Sequence, residues 1–228
     1  MTSDIIEVWL IRTDLPDPVL DELEALLDDE ERDRAASLLY PARRRQFIAS
    51  HGAVRLILGQ RLRLPPASLR WRRGPHGKPE ITGAGSAPHV SLSKSDSLAA
   101  LAVAGNRRIG VDIQRLLADL DVTRMARRFY PPQEARFVTS AAGTTRQVDR
   151  FTRLWVRKEA CVKVSGGRLL PGLQLTVLGT GGNGAGLVST QEGPHRVRDL
   201  RVPPGFRAAL AAEGTRPFRI TRHWMNLG

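Results

Sequence analysis

The chain has 228 residues, of which 41% are hydrophobic, so it is long enough for one large domain or two small ones with an ordinary core. Its single cysteine, Cys161, excludes an internal disulfide and a zinc site built from several cysteines. No apolar run approaches the roughly 20 residues of a membrane span, and the N-terminus does not resemble a signal peptide, so we expect a cytoplasmic protein. A net charge of +12 predicts an anionic partner, which is nucleic acid, a phosphorylated cofactor or an acidic protein.

Hydrophobic periodicity predicts a mixture of helices and strands, and therefore an α+β fold. Glycines at 166 and 167 are expected to end the last predicted helix. In chain order we expect a strand at 5–12, a helical region at 17–39, a helix at 41–60, two strands within 88–104 around a turn at 94–96, a strand at 109–113, a helix at 120–129, a helix at 149–164, and strands at 173–178, 196–202, 206–212 and 218–224.

A weak internal repeat predicts that the chain is built from two similar halves. Residues 98–105 match residues 207–214 at five of eight positions, an offset of 109, and the same offset lays the helix at 149–164 over 40–55. We therefore expect two α+β halves, residues 1–106 and 107–228, that join near Asn106. A cleft between two such halves is a natural ligand site.

Lysine is rare in this chain, because 31 of its 35 cationic residues are arginine. A lysine ammonium is a compact and movable charge, which suits contact with phosphate. Two of the four lysines lie in one short helical segment, where Trp155, Glu159 and Lys163 follow at intervals of four and share one face. That pattern is also what an ordinary stabilising ion pair beside a core tryptophan produces. The four lysines are Lys78, Lys94, Lys158 and Lys163.

An acidic residue in a predicted buried strand adds a second chemical signal. Asp112 lies between Val111 and Ile113, and a buried carboxylate is usually paired or bound to a metal. Asp112 and Glu159 together offer two oxygen ligands that suit Mg²⁺, and Lys163 lies one helical turn beyond Glu159. With the hydroxyl-rich segment at 91–95, these residues predict a site that handles phosphate or pyrophosphate through charge and metal.

These motifs resemble the paired signature of the 4′-phosphopantetheinyl transferases of the larger, surfactin-synthetase-activating type. The signature consists of Gly110-Val111-Asp112 and, 43 residues after Asp112, Trp155-x-x-Lys158-Glu159-Ala160-x-x-Lys163. The resemblance spans roughly residues 30–180. Its further parts are Arg44-Arg45-Gln46-Phe47 with His51 and Arg55, Gly77-Lys78-Pro79, the segment 90–95, and Arg128-Phe129-Tyr130 with Glu134.

The resemblance implies a monomeric cytoplasmic enzyme that uses Mg²⁺ and moves phosphopantetheine from coenzyme A to a serine hydroxyl of an apo acyl or peptidyl carrier protein, releasing adenosine 3′,5′-bisphosphate. The carrier is expected to be acidic, which the net charge of +12 favours. The implied fold has two similar α+β halves related by pseudo-two-fold symmetry, with coenzyme A in the cleft between them. The pathway that the carrier serves stays open.

The resemblance also implies roles for individual residues. Asp112 and Glu159 would hold Mg²⁺, Lys158 and Lys163 would lie along the phosphates, and Glu159 would be the first candidate for the base that accepts the serine proton. Glu134 would be the second candidate base. At the other end of coenzyme A the implied contacts are Lys78 and Ser93 near the adenosine, and Arg44 or Arg45, with Arg32 as a further member, near the 3′-phosphate or adenine.

Two positions depart from the usual family pattern. Lys94 stands where the family usually has a histidine that contacts the 3′-phosphate, so we expect this contact to keep its charge across neutral pH. Gln114 stands where many relatives carry a third acidic metal ligand, so we expect it to reach Mg²⁺ without contributing charge and to raise the Mg²⁺ requirement.

Two alternatives from other classes stay open at this point. A basic nucleic-acid-binding protein is favoured by the high net charge and by Arg70-Trp71-Arg72-Arg73, where an aromatic residue lies among cations. No nucleic-acid recognition motif accompanies that segment, so nucleic acid is the less expected partner. A carrier-binding relative that has lost catalysis is the other alternative, and the acidic pair with Lys163 argues against it.

Overall fold

The computed structural model describes residues 4–74, 78–82, 87–117, 119–167, 172–179 and 185–227, and the elements below are those of this part of the chain. A short 3₁₀ helix at Pro66–Ser68 follows the third α-helix. The α-helices are α1 (Asp17–Ala25), α2 (Asp29–Ala36), α3 (Pro41–Leu62), α4 (Val122–Phe129), α5 (Pro132–Thr139) and α6 (Thr144–Ser165). The strands are β1 (Asp4–Arg12), β2 (Arg70–Arg73), β3 (Pro79–Thr82), β4 (His89–Ser95), β5 (Leu98–Ala104), β6 (Ile109–Arg115), β7 (Ala185–Thr190), β8 (Gly193–Leu200), β9 (Phe206–Glu213) and β10 (Phe218–Met225).

The strands form two four-stranded sheets and a separate hairpin. The first sheet has the order β10-β1-β5-β4, the second has the order β6-β9-β8-β7, and β2 pairs with β3. Most neighbours are antiparallel, but β10 runs parallel to β1, with Ile6 opposite Ile220. The last strand of the chain therefore returns to the first sheet, so the expected segment 107–228 contributes strands to both sheets.

The two sheets face each other across a shared apolar layer. The β5 sequence LAALAVA is buried at all seven positions because both of its faces are covered. One face, with Leu98 and Ala100, joins side chains of β1, β6 and β9 between the sheets. The other face, with Leu101 and Val103, packs on α3. Helix α6 covers the outer face of the second sheet in the same way, so the order of layers is helix, sheet, sheet, helix.

The sheets also meet along a seam between β4 and β6, where serine side chains replace a backbone ladder. The Ser91 hydroxyl oxygen accepts a hydrogen bond from the Val111 amide at 3.0 Å. The Ser95 hydroxyl oxygen accepts one from the Arg115 amide at 3.0 Å. Between them, the Ser93 hydroxyl donates to the Asp112 carboxylate at 2.7 Å. The hydroxyl-rich segment therefore fixes the position of β6, and with it Asp112.

The glycine of the Gly-Val-Asp triplet allows β6 to pass close to α6. A Cβ atom at Gly110 would overlap the carbonyl oxygen of Ala160 and lie 2.9 Å from the carbonyl carbon of Lys163. Any larger residue would push the strand away from the helix. Gly166 takes a left-handed conformation, with φ of 77°, and ends α6 as predicted.

The predicted elements are confirmed over most of the chain, with three differences. The strand expected at 173–178 is wrong, because residues 173–175 form a turn and bend and no strand includes the described residues 172–179. Helix α6 begins at Thr144, five residues earlier than expected. The hairpin β2–β3, helix α5 and strand β7 were not predicted. Within the part of the chain that the structure describes, no helix combines the length and apolar character needed to cross a membrane.

Candidate active site

Asp112 lies at the centre of the site, and its two carboxylate oxygens differ sharply. The side chain is almost completely buried on β6. Oδ1 accepts hydrogen bonds from the Ser93 hydroxyl at 2.7 Å and from the Lys163 ammonium at 2.6 Å. Oδ2 is buried as well, yet it has no hydrogen-bond partner among the described residues. Because a buried oxygen without a partner is costly, Oδ2 is the atom of this site that most needs a ligand.

The predicted shared face of α6 is confirmed. Trp155, Glu159 and Lys163 are each partly exposed, whereas the residues around them on the helix are buried. Burial and the nearby Asp112 carboxylate raise the pKa of Glu159 to about 7, although Lys163 opposes the shift. Burial also raises the pKa of Asp112, against the effect of Lys163 and Ser93. Two carboxylates therefore share the single ammonium of Lys163. When both carboxylates are ionised, this cluster has a net negative charge.

The residues of this cluster fit a magnesium ion. Asp112 Oδ2 and the Glu159 carboxylate supply two hard oxygen donors, and Gln114, two positions along β6, adds an amide oxygen on the same side of the strand. No group of three or more His, Cys, Asp or Glu residues that could hold a metal occurs within the described residues. Two acids with an amide suit an ion that keeps several waters and binds a phosphate, as Mg²⁺ does.

Lys158 and Glu134 form a pair beneath the site rather than within it. Neither side chain has any exposed surface. The Lys158 ammonium donates to the Glu134 carboxylate and to the Leu175 carbonyl oxygen. The other Glu134 oxygen accepts hydrogen bonds from the backbone amides of Val177 at 2.6 Å and Leu178 at 2.7 Å. This placement differs from the expected contact of Lys158 with phosphates and from the expected role of Glu134 as a base, because neither group faces an open surface.

Lys78, which was expected near the adenosine, makes its contacts with protein groups. Its ammonium donates to three carbonyl oxygens, those of Ile109 at 2.6 Å, Lys163 at 2.8 Å and Val164 at 3.1 Å. Burial and, to a lesser extent, Arg108 lower the pKa of Lys78 to about 8. The preceding Gly77 lies outside the described residues. Lys78 therefore contacts the second half of the chain, and all three of its N–H groups are used on backbone carbonyls.

Comparison with known proteins shows the family to which this chain belongs. The sequence model of the 4′-phosphopantetheinyl transferase superfamily matches residues 108–205, which include Asp112, Glu159 and Lys163. A protein of Nostoc sp. (strain PCC 7120) named 4′-phosphopantetheinyl transferase HetI is 34% identical over 168 residues, which cover 73% of this chain and 70% of that protein. The chain belongs to this superfamily.

Other relatives agree with that assignment. A Synechocystis protein provisionally named a 4′-phosphopantetheinyl transferase is 30% identical over 75% of this chain and 69% of its own length. A phosphopantetheinyl transferase of Thraustochytrium sp. is 27% identical over 74% of this chain and 64% of its own length. The chain is therefore assigned to the phosphopantetheinyl transferase class of enzymes.

In this transferase Lys94 lies on β4 beside the first long helix. Its ammonium is 4.4 Å from the centroid of the Phe47 ring. Burial and, second, the charge of Arg34 lower the pKa of Lys94 to about 8. Lys94 is therefore mostly protonated at pH 7 and loses its charge near pH 8. We expected a charge that stays constant across neutral pH, and this holds only up to about pH 7.

The environment of Lys94 contains two residues that the sequence did not single out as neighbours. Phe47 offers its ring face to the ammonium and stacks on His51, with ring centroids 3.8 Å apart. Arg34 contributes the second positive charge. The interval of four residues between Phe47 and His51 was the available signal, because it places both rings on one face of α3.

The arginines expected near the far end of coenzyme A make local contacts. The Arg44 guanidinium lies 3.1 Å from the Glu24 carboxylate. The Arg45 guanidinium donates to the Asp17 carboxylate and to the Leu15 carbonyl oxygen. The Arg32 guanidinium lies 2.6 Å from the Asp29 carboxylate. These three side chains contact α1, α2 and the adjoining loops, and the structure does not bring them to the Asp112 cluster.

The basic segment that favoured nucleic-acid binding is largely neutralised within the transferase. The Arg72 guanidinium lies 2.8 Å from the Glu80 carboxylate, and the Arg73 guanidinium lies 2.9 Å from the Glu30 carboxylate. Arg70 donates to the Ala67 carbonyl oxygen at 2.9 Å. The hairpin therefore does not present three free cations beside Trp71, and the structure adds no support for nucleic-acid binding.

Proposed function

We propose that this protein transfers 4′-phosphopantetheine from coenzyme A to a serine hydroxyl of an apo carrier protein, with release of adenosine 3′,5′-bisphosphate. The observation that carries the proposal is the Asp112 carboxylate, which has one oxygen held by Ser93 and Lys163 and the other buried without a partner beside Glu159. A cluster that is short of positive charge and open on one oxygen suits a metal-bound pyrophosphate. Family membership supports coenzyme A as the donor.

The roles of the residues follow from their charges and exposure. Asp112, Glu159 and Gln114 would hold Mg²⁺, which when bound supplies a Lewis acid that neutralises the pyrophosphate. Gln114 adds an oxygen without a charge, so we expect weaker Mg²⁺ binding than three carboxylates would give. Lys163 is partly exposed, and its ammonium can neutralise charge on the phosphate oxygens and on the leaving group.

The serine oxygen of the carrier attacks the β-phosphorus of coenzyme A. A new P–O bond forms, the bond to the bridging oxygen breaks, and adenosine 3′,5′-bisphosphate leaves with that oxygen. We assign to Glu159 the role of the base that accepts the serine proton. In the metal-free protein, burial and Asp112 raise its pKa to about 7. We do not assign this role to Glu134, because its side chain is fully buried and both of its oxygens are occupied.

Ser93 and Lys158 receive different roles from those that the family resemblance implied. The Ser93 hydroxyl donates to Asp112 Oδ1 from across the seam between the sheets, so it orients the carboxylate. The buried pair of Lys158 and Glu134 ties the segment 175–178 to α6. In both roles the motif residues support the site rather than contact coenzyme A.

We infer further that the protein consists of two similar halves related by pseudo-two-fold symmetry, as in the larger, surfactin-synthetase-activating type. The strand order β1-β5-β4 in the first sheet corresponds to β6-β9-β8 in the second. Each half places a 22-residue helix before its hairpin. The helices correspond at an offset of 103 (144 − 41), not 109, because the connecting segments differ in length. The seam of β4 and β6 would then border the cleft that holds coenzyme A.

An acidic partner is supported by the surface next to the site. Arg124, Arg127 and Arg128 are exposed on α4, and no ion pair neutralises them within the described residues. A groove beside them is lined by apolar side chains and reaches Gln114 and Trp155. We infer that an acidic carrier binds across this surface as a partner of a monomeric, cytoplasmic enzyme.

The decisive experiment is incubation of the purified protein with coenzyme A, Mg²⁺ and a panel of apo carrier proteins from fatty-acid, polyketide and nonribosomal-peptide synthesis. Intact-mass measurement should show a gain of one phosphopantetheine on at least one carrier. The Asp112→Asn variant is the matched control, because it keeps the shape of the side chain and removes its charge. A panel on which no carrier gains mass with the folded wild-type protein would contradict the proposal.

A further inference from the structure

Lys78 uses every donor of its ammonium on backbone carbonyls of the second half of the chain. The side chain extends from the start of β3 in the first half. Its nitrogen lies 2.6 Å from the Ile109 carbonyl oxygen, 2.8 Å from that of Lys163 and 3.1 Å from that of Val164. An ammonium has three N–H groups, so these three contacts saturate it. No donor remains for a phosphate.

The three carbonyls belong to the two elements that carry the proposed catalytic pair. Ile109 begins β6, three residues before Asp112. Lys163 and Val164 lie in the last turn of α6, where carbonyl groups lack partners within the helix and carry the negative end of its dipole. The Lys163 ammonium in turn lies 2.6 Å from Asp112 Oδ1. One cation of the first half therefore holds the backbone of Lys163 itself and the backbone of β6 three residues before Asp112.

The geometry around Lys78 leaves little room for an alternative arrangement. Strand β6 already touches α6 at Gly110, where even a Cβ would overlap the helix backbone. The ammonium is largely buried, and the charged groups that act on it are Arg108, Glu80 and Glu213. A buried cation that is satisfied by three carbonyls is costly to replace, because removal of the ammonium leaves those carbonyls without a donor.

We propose that Lys78 is a positioning residue of the transferase, which fastens the end of α6 to the start of β6 and so fixes Lys163 opposite Asp112. The proposal rests on the function proposed above. Lys78 touches no reacting atom. It acts through the backbone of Lys163, and its loss displaces that ammonium from the pyrophosphate that it would neutralise.

The test combines removal of the ammonium with its chemical restoration. Lys78→Met removes the donor, and Lys78→Cys treated with 2-bromoethylamine regains an ammonium on a side chain of nearly the same length. The native Cys161 is buried, so treated wild-type protein serves as the control for the reagent. Arg72→Met is the matched control for loss of a cation, because Arg72 lies on the same hairpin but pairs only with Glu80 at 2.8 Å.

Amide hydrogen exchange and steady-state kinetics give two independent measurements. In Lys78→Met we expect exchange at residues 162–167, the last turn of α6 and the two glycines after it, to rise by about tenfold or more, since a charged hydrogen-bond network has been lost. We expect kcat to fall by roughly 10- to 100-fold, because a catalytic group is displaced, while the KM for coenzyme A stays close to the wild-type value. Aminoethylated Lys78→Cys should recover both, and Arg72→Met should change neither.

Two results would overturn the proposal. Unchanged exchange at 162–167 in Lys78→Met would show that the contacts do not hold the helix end. A raised dissociation constant for coenzyme A without a change in exchange would instead place Lys78 on the ligand. If Lys78→Met does not fold, Lys78→Gln, which keeps two donors, takes its place. Failure of the wild-type protein to modify any carrier would sink the proposed function, but the exchange measurement needs no substrate and would still decide the contact.

Discussion

Helices α3 and α6 each carry one cation without exposed surface at the same point along their length. Arg55 is the fifteenth residue of α3, Lys158 is the fifteenth residue of α6, and both helices have 22 residues. Each cation binds a glutamate that is the third residue of the preceding helix, Glu31 in α2 and Glu134 in α5. Each also donates to carbonyls of the segment that follows its own helix. By position and partners, Lys158 is the counterpart of a structural arginine.

The two helices differ in the carboxylates that lie beside this pair. In the first half, both oxygens of Asp28 and of Glu31 have hydrogen-bond partners. Although burial opposes it, His51 and Arg55 lower the pKa of Glu31. In the second half, Asp112 Oδ2 has no partner within the described residues, and the pKa of Glu159 is raised to about 7 by burial and Asp112. Asp28 and Glu31 are thus satisfied within the protein, whereas the Asp112 carboxylate keeps one oxygen without a partner among the described residues.

Replacing one acid from each half should separate the two kinds of carboxylate, and it has the largest expected effect. Asp112→Asn should lower kcat by roughly 100- to 1,000-fold, because it removes a preorganised charge, while the free energy of unfolding stays near the wild-type value. Asp28→Asn should lower the free energy of unfolding and leave the kcat of the folded protein unchanged, because it weakens the Arg55 network. Both are measured by carrier modification and by urea unfolding. If Asp112→Asn lowered only the stability and Asp28→Asn lowered only kcat, the distinction between the two halves would be wrong.

The buried pairs themselves should behave alike. Lys158→Met and Arg55→Met each leave buried carboxylates without their cation, and we expect each to cost about 3–5 kcal/mol of unfolding free energy. The affinity of folded Lys158→Met for coenzyme A should match that of the wild type when measured by calorimetry below its unfolding temperature. If Lys158→Met binds coenzyme A more weakly but is as stable as the wild type, Lys158 contacts the phosphates, as the family resemblance implied.

Local pattern predicted most elements of the fold because their apolar periodicity is strong. Strand β5 and helix α3 were predicted at nearly their observed bounds, and α6 was predicted at its C-terminal end. The strand expected at 173–178 was wrong. The segment forms a turn and bend, and its Val177 and Leu178 amides donate hydrogen bonds to Glu134 instead of to a neighbouring strand. The sequence contains no sign of that contact, which joins residues more than 40 positions apart. Likewise, the parallel pairing of β10 with β1 depends on the whole topology rather than on either strand.

Asp112, Glu159 and Lys163 could be predicted together from the sequence, but the contacts of Lys78, Lys158 and Glu134 could not. Spacing alone placed Trp155, Glu159 and Lys163 on one face, and a polar residue in a buried strand identified Asp112. The directions of Lys78 and Lys158 could not be predicted, because a lysine motif looks the same whether its ammonium faces a phosphate or a backbone carbonyl. Only the fold shows that both are fully engaged by protein groups.

Lys94 in the first half has no carboxylate partner among the described residues, and a titration should reveal its role. Burial and Arg34 lower its pKa to about 8, and its ammonium lies 4.4 Å from the centroid of the Phe47 ring. An anion binds the protonated amine, so the affinity for coenzyme A should be constant below pH 7 and fall by about tenfold between pH 7 and 9. Calorimetry should show no such fall in Lys94→Arg, and an earlier one, near pH 6.5, in Lys94→His. An identical pH profile in all three proteins would remove Lys94 from the ligand site.

The smallest effect is expected in the stability of the second half. The pKa of Glu159 in the folded protein, about 7, lies above its ordinary value of 4.5, so the folded state binds the proton more tightly than the unfolded state does. Stability is therefore lost as the pH rises from about 4.5 to about 7, and Glu159→Gln should abolish this component. In the absence of metal, the Tm of the variant should rise relative to that of the wild type between pH 5 and 8. The expected rise is about 2–4 °C for each kcal/mol of unfolding free energy that the wild type loses. Adding Mg²⁺ at pH 8 should reverse the difference, because the ion binds only the folded wild-type carboxylates well. If instead the difference between the two Tm values stays constant across this range, the pKa of Glu159 is not raised in the folded protein. Glu159 would then not differ from Glu31 in the way that the comparison of the two halves requires.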